Sequence, residues 1–356
     1  MTESTEPATA VTETGVESTE TPVKTETVEE TTTTTTTTEA TTTQTTTEED
    51  TGEKPSEGTP AVKPKKVLFL NCHLFGHSFV GRLWPPLSYR DDSRAAAIAE
   101  HIARADADVV VLAEVWGAKL IRRIAEDPQV KAVLPHSWCD PRSASPVSAW
   151  RRVMGSGMVL LSREPIAQEA CTEYRALSGW DAWARKCVFT ALCGDVLVGG
   201  THVEAEGDAA GCRCRDDNVA QVVEHVRAAA ARAGTDRVVL AGDFNTAEYA
   251  SGAHDRTRPE YDRLRASLAG AQPPLRDALR VVAPCIRDAP GVTSDHKDNS
   301  LTVRWQSAPS DEKIRLDYFF VSHSVNVVDC TVLSDWKDPS NGDDVSDHYG
   351  ISLLFN

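Results

Sequence analysis

Basic side chains are scarce in this 356-residue chain: 37 Lys and Arg stand against 53 Asp and Glu, for a formal net charge of −16. Lys and Arg supply most non-specific affinity for nucleic acid, so this balance disfavours long-range capture of a polyanion, although a local basic groove is invisible in a sum. Long apolar runs are missing too. No window approaches the roughly 18 apolar residues that suggest a membrane span, so no transmembrane segment is expected. The opening, Met1-Thr2-Glu3-Ser4-Thr5-Glu6-Pro7, has neither a basic region nor an apolar run; it does not read as a secretory leader, and a cytoplasmic location is the default expectation. Cysteine is present but unorganised. Nine is an odd number, and Cys212-Arg213-Cys214 has no second close pair to complete a zinc site. Reduced, structural thiols are expected.

The first 66 residues also lack large apolar side chains almost entirely and include eight successive threonines, Thr31 to Thr38. They carry 14 Asp and Glu against 5 Lys, or −9, which leaves −7 for the rest. Such a segment cannot bury enough surface to offset its ordering entropy, so residues 1–66 read as a disordered, solvating tether. A phosphoacceptor region or a glycosylated stalk is the sharper alternative. Lys63-Pro64-Lys65-Lys66 marks the border, and residues 67–356 are long enough for one large α/β domain, expected as a monomer.

Within that domain, Val67-Leu68-Phe69-Leu70-Asn71 and Asp108-Val109-Val110-Val111-Leu112-Ala113-Glu114 are apolar runs that end in a polar side chain, the pattern of buried strands. Further strands are predicted at 158–161, 188–192, 196–200, 237–241, 302–305, 316–321, 327–333 and 350–355. Ala95, Ile98, Ala99 and Ile102 share one helical face, as do Val219, Val222, Val223 and Val226. Alternating helices and strands early, with strands dominating late, argue for packed sheets covered by helices. No internal repeat is visible.

The informative pattern lies at the strand ends: Asn71, Glu114, His202, Asp243 with Asn245, and Asp347 with His348. Singly, each has a plain structural reading, such as a turn former, a helix cap or a hydrogen-bonded core histidine. Together they match what phosphodiester hydrolysis needs: a cation for the phosphate oxygens, a base for water, and donors for the developing charge. Asn71 and Glu114 offer hard oxygen ligands suited to Mg²⁺, with Mn²⁺ as the alternative. His348 can take the proton of water while Asp317 orients its ring, the logic of the acid–imidazole pair in other hydrolases. Asp243 can align the water, and Asn245 and His202 can donate to non-bridging oxygens.

The set Asn71, Glu114, Thr201-His202, Gly242-Asp243-Phe244-Asn245, Arg315-Leu316-Asp317-Tyr318 and Ser346-Asp347-His348 resembles the endonuclease/exonuclease/phosphatase superfamily, which includes pancreatic deoxyribonuclease and neutral sphingomyelinases. The resemblance spans residues 67–356. It implies an α/β four-layer sandwich with two central mixed β-sheets, and divalent-metal-dependent phosphoester hydrolysis. It assigns Asn71 and Glu114 to the metal, Asp243 and Asn245 to the reacting phosphate, and His202 and His348 to a catalytic pair. Asp317 becomes the partner of His348, and Asp347 a further metal-associated or orienting carboxylate.

Three segments are similar to the sphingomyelinase, phospholipase C-like branch: the run from Asp181 to Val188 with Lys186, Thr201-His202-Val203-Glu204-Ala205, and the stretch from Pro290 to Thr302. Cys187 where that branch has glycine, Ala113 where glutamine usually precedes the glutamate, and the opening Leu70-Asn71-Cys72-His73 depart from the pattern and leave the substrate open. Lys186 and Trp84 are read as substrate-binding residues. Trp84, Trp150, Trp180 and Trp183 can rim the site, for a membrane interface or a quaternary ammonium group, or pack beneath loops. Arg142, Arg151 and Arg152 offer phosphate contacts or simply a solvated loop. His296, after Asp295, imitates a catalytic pair but sits in a polar loop, where a surface position is expected. The expected substrate is a phosphodiester, a phospholipid at a membrane surface ahead of nucleic acid; a non-catalytic binding protein on the same fold is the reading from another class.

Overall fold

The computed structural model describes residues 63–356 apart from 77, 141–153, 249–257, 287 and 307. The tail expectation for residues 1–62, the arginines at 142, 151 and 152, and Trp150 therefore lie outside the described residues. Strands follow in chain order as β1 (Lys65–Leu74), β2 (Val109–Val115), β3 (His136–Cys139), β4 (Val159–Ser162), β5 (Ile166–Glu173), β6 (Cys187–Cys193) and β7 (Val196–His202). They continue as β8 (Val238–Asp243), β9 (Leu275–Asp277), β10 (Ser294–Asp295), β11 (Lys313–Ile314), β12 (Asp317–Ser322), β13 (Val327–Leu333) and β14 (Gly350–Phe355). The helices are α1 (Phe79–Leu83), α2 (Asp91–Arg104), α3 (Ala118–Ala125), α4 (Pro128–Val133), α5 (Ala209–Ala233), α6 (Arg258–Ala269), α7 (Ala278–Val282) and α8 (Ser300–Trp305).

Two mixed six-stranded sheets result, in the orders β13-β14-β1-β2-β4-β3 and β5-β6-β7-β8-β12-β9. Strand alternation explains the layering, because successive side chains leave a strand on opposite faces. Val67, Phe69, Val109 and Val111 point from the first sheet into an apolar layer shared with Phe189, Val198, Val239 and Phe319 of the second. The intervening Leu68, Leu70, Val110 and Leu112 face outward and pack on Ile98 and Ile102 of α2 and on α3. On the far side, Leu197, Leu240 and Phe320 meet Val219, Val222 and Val226 of α5 and Leu264 and Leu268 of α6. The molecule is thus an α/β sandwich of two central sheets between helical layers, as the resemblance implies.

Two expectations need correction. Residues 302–305 are the end of helix α8, not a strand; Asn299 caps the helix by accepting from the Leu301 and Thr302 amides. The run Leu-Thr-Val-Arg has β propensity, and the cap overrides it. The fold also begins two residues before 67, since Lys65 and Lys66 pair with Phe355 and Leu354 of β14. Among the described residues no helix is long and apolar enough to cross a membrane. None of the nine cysteines is joined in a disulfide.

Candidate active site

Register brings the polar strand ends together. β1 and β2 are parallel, with Asn71 opposite Ala113, so Asn71 and Glu114 leave the same sheet edge. β7 and β8 are parallel with His202 opposite Asp243, and β12 runs antiparallel to β8 with Asp317 opposite Asp243. The segment 346–348 enters β14 beside β1, where the Ser346 hydroxyl donates to the Asn71 carbonyl at 2.6 Å. These ends converge on one cavity of about 500 Å³ lined by His73, Glu114, Lys186, His202, Asp243, Asn245 and His348, among others, while Asn71, Asp317 and Asp347 stand behind its lining.

Among the described residues, three of the six non-glycine positions with positive φ are in this site: His73 at 44°, Glu114 at 56° and Asn245 at 46°. Left-handed backbone costs an ordinary residue about 1–2 kcal/mol and persists where the surroundings enforce it, which is common at functional sites. At β1 the enforcing device is a bulge: the pairing with β2 shifts between Asn71 and Leu74, setting Cys72 and His73 against Glu114 alone. Arg94 of α2, which is buried, clamps the bulge by donating to the carbonyls of Cys72, His73 and Val345. One guanidinium therefore ties the His73 backbone to the strand entry that carries Asp347 and His348.

His348 Nδ1 lies 2.8 Å from Asp317 Oδ2. Burial opposes charge on this imidazole, but the carboxylates of Asp317, Asp243 and Asp347 hold its pKa well above the ordinary value. Asp243 accepts from the Asn71 amide nitrogen at 3.0 Å and from the Asn245 backbone N–H at 2.9 Å. Burial, then repulsion from Asp317, pushes the Asp243 carboxyl up to about 7. Asn71 also donates to Glu114 Oε1 at 2.9 Å, so its amide nitrogen bridges the two carboxylates while its oxygen accepts from the His73 amide. Asp347 faces His73; burial would raise its pKa, but that imidazole and the His348 ring hold it low.

The arrangement at His202 differs from the simple donor expected. Lys186, 1% exposed, donates to His202 Nε2 at 2.9 Å, to Asp181 at 2.6 Å and to the Val203 carbonyl at 2.9 Å. Burial and that ammonium push the His202 pKa well down, so the ring is neutral and its Nε2 acts as an acceptor. All three N–H groups of Lys186 are used within the protein, so it does not meet the expectation of a direct substrate contact. Trp84 (62% exposed) and Trp180 (71% exposed) do rim the cavity, whereas Trp183 is exposed nearby without lining it. His296 is half-buried rather than at the expected surface position, and its neighbour Asp295 pairs with Lys313 at 2.7 Å, so the two do not form an acid–imidazole pair like that of Asp317 and His348.

Sequence reasoning missed three members. Trp116 donates from its indole to Glu114 at 3.2 Å, Asp181 anchors Lys186, and His73 lies between Glu114 and Asp347. Trp116 had a signal in its spacing of two residues beyond Glu114; His73 depends on a bulge that no pattern announces.

The donor chemistry fits a divalent cation. Carboxylate and imidazole atoms of Glu114, His202 and Asp243, and again of Asp243, Asp317 and His348, come within 4.8 Å of one another. Hard oxygens dominate both groups, the set preferred by Mg²⁺ and Mn²⁺.

The profile of the Endonuclease/Exonuclease/phosphatase family matches residues 69–348. The chain belongs to this family. No curated protein matches its sequence. Among solved structures, it is similar to sphingomyelinase C from Streptomyces griseocarneus (TM-score 0.57, 20% identity, 82% of this chain and 99% of that one). A mutant beta toxin from Staphylococcus aureus with bound magnesium ions has TM-score 0.57 and 18% identity, covering 83% of this chain and 100% of its own. TDP2 from D. rerio, complexed with a single-strand DNA product, has TM-score 0.56 and 14% identity over 82% and 99% of the two chains. At these identities the likenesses speak for the fold of this family member.

Proposed function

We propose that this family member is a metal-dependent phosphodiesterase that acts on a phospholipid-type substrate, in the manner of a sphingomyelinase. The observation that carries the reading is the His348–Asp317 pair beside Asp243 and Asn245, on the floor of a cavity with an apolar upper wall. Asp317 holds the His348 ring through Nδ1, leaving Nε2 to take the proton of an attacking water. Asn245 is fixed by its backbone bond to Asp243 and by donation to the Val203 carbonyl, and its side chain would serve the reacting phosphate. Glu114 and Asp243, with Asn71 between them, would hold the cation, Mg²⁺ by the hardness of the donors; when bound it neutralises phosphate oxygens and the leaving group. Lys186 keeps His202 neutral and oriented.

Substrate class follows from the cavity wall. Among the described residues its only lysine or arginine is Lys186, and that ammonium is fully engaged by Asp181, His202 and Val203. Phe75, Val80, Trp84, Leu87 and Trp180 line the outer part instead. A wall of this kind suits an apolar or cationic substituent better than a polyanion.

The test is phosphocholine release from sphingomyelin vesicles with Mg²⁺, with EDTA and Asp243→Asn as controls. Metal-dependent release that is lost in the variant supports both substrate and site. No release, from protein that cleaves DNA or a small phosphodiester, would keep the chemistry and replace the lipid by the class to which TDP2 belongs in its complex.

A further inference from the structure

His73 has no role in the scheme above, yet the structure commits several features to it. Its backbone is held at φ 44° by the bulge and by Arg94, an arrangement that brings the ring over the site instead of into the outer core. The imidazole stacks on Trp305 of α8, with ring centroids 4.1 Å apart and planes 28° apart, and meets Phe75 edge-on at 4.9 Å. Those contacts fix the ring plane. In that plane Nδ1 lies 3.3 Å from Asp347 Oδ2 and 3.9 Å from Glu114 Oε2. The other nitrogen, Nε2, is buried without a protein partner, so the ring's polar contacts are those on the carboxylate side.

We infer that His73 is a positioning residue that sets the carboxylates of Asp347 and Glu114 in the arrangement needed for the divalent cation. The inference rests on the function proposed above. A ring nitrogen in contact with Asp347 and 3.9 Å from Glu114 stands between the two carboxylates and relieves their repulsion, and contacts of this kind behind a metal's ligands tune how they are held. Backbone links act in the same direction: the Asn71 side-chain oxygen accepts from the His73 amide, so the turn at 73 also orients Asn71 towards Glu114 and Asp243. A single residue thereby touches three of the oxygen-bearing side chains of the site. Trp305 makes α8 part of this support, since the ring would be free to rotate without the stack.

Three substitutions separate the N–H from the ring stack and from the backbone. His73→Phe keeps a ring for Trp305 and removes the donor. His73→Gly removes the side chain at a position where left-handed backbone costs glycine nothing. His73→Asn keeps an N–H near the place of Nδ1 and tolerates the backbone. Mn²⁺ binding to the full chain, measured calorimetrically without substrate and alongside a melting curve, is the primary readout; Mg²⁺ dependence of phosphodiester cleavage is the second. Expected are about tenfold or greater losses of Mn²⁺ affinity for the Phe and Gly variants, and affinity within about threefold of wild type for Asn. If Phe or Gly binds Mn²⁺ as wild type does, or Asn is as weak as either, the positioning role is overturned. Wild-type protein that binds no Mn²⁺ would instead sink the metal-dependent function and the inference with it, so the two failures read differently. An unfolded Phe variant leaves the Gly and Asn pair to decide.

Discussion

At the scale of single residues, the same imidazole chemistry serves opposite ends in this molecule. His348 is held charged by Asp317, yet as a base it must be neutral, so cleavage should rise with pH through its raised pKa. Asp317→Asn removes the carboxylate that raises it. In a pH profile of kcat/KM the inflection should move down towards the ordinary value near 6.5, while the plateau falls by about 10²–10⁴ through lost orientation. An unmoved inflection would remove His348 as the titrating base. His225 is the counter-case, remote from the site: buried in α5, it bonds to Thr172 at 2.8 Å and Thr190 at 3.0 Å, and burial lowers its pKa to about 4. The unfolded chain binds a proton near pH 6.5, but the folded protein resists until about pH 4. Stability is therefore full above 6.5 and is lost as pH falls towards 4, by about 3 kcal/mol from this group. Melting curves between pH 7 and 4 should show a shallower acid slope for His225→Gln than for wild type. Asp317 and His348 could be picked out because each lies in its own short contiguous motif at a strand end, whereas His73 and the Lys186–His202 bond could not. Both depend on where a bulge and a buried ammonium fall in three dimensions.

Between residue and molecule stands α8, the element whose sequence reads as a strand. The deciding information was non-local. Asn299 is fully buried, caps the helix through its side-chain oxygen, and donates to the Ser346 carbonyl at 2.9 Å. One turn on, Thr302 donates to the Asp347 carbonyl at 2.8 Å. The helix thus props the segment that delivers Asp347 and His348, and a short apolar run took helical form because its cap and first turn are tied to that segment. The long parallel strands, by contrast, were legible because burial on both faces forces continuous apolar runs at 67–70 and 109–113. Asn299→Ala should cost about 1–3 kcal/mol, from a lost cap and an unpaired buried carbonyl. It should also lower kcat, because the His348 segment loses a fixed point. Denaturant titration and turnover on the same preparation check this; a stability loss with unchanged kcat would make α8 a structural element alone.

For the molecule as a whole, the question is which phosphodiester its electrostatics admit. Charge sums to −7 over residues 67–356, and the cavity edge bears Asp181, Glu114 and Asp243 against a fully engaged Lys186. A protein that tracks a nucleic-acid backbone spends several Lys or Arg on phosphates, and loses about 10³–10⁵ in affinity between 50 and 200 mM salt when 6–10 contacts are made. The described surface at this cavity offers no such row of cations, while exposed Trp84, Trp180 and Leu83 offer indole and aliphatic surface near its mouth. Fluorescence anisotropy with a labelled single-stranded DNA should therefore show weak binding at 50 mM salt, with a shallow dependence on salt. Binding to zwitterionic vesicles should change little over the same range. Steep salt dependence on DNA, together with indifference to vesicles, would mean that a basic surface elsewhere on the chain governs the substrate, and the phospholipid reading would fall while the Asp317–His348 chemistry stood.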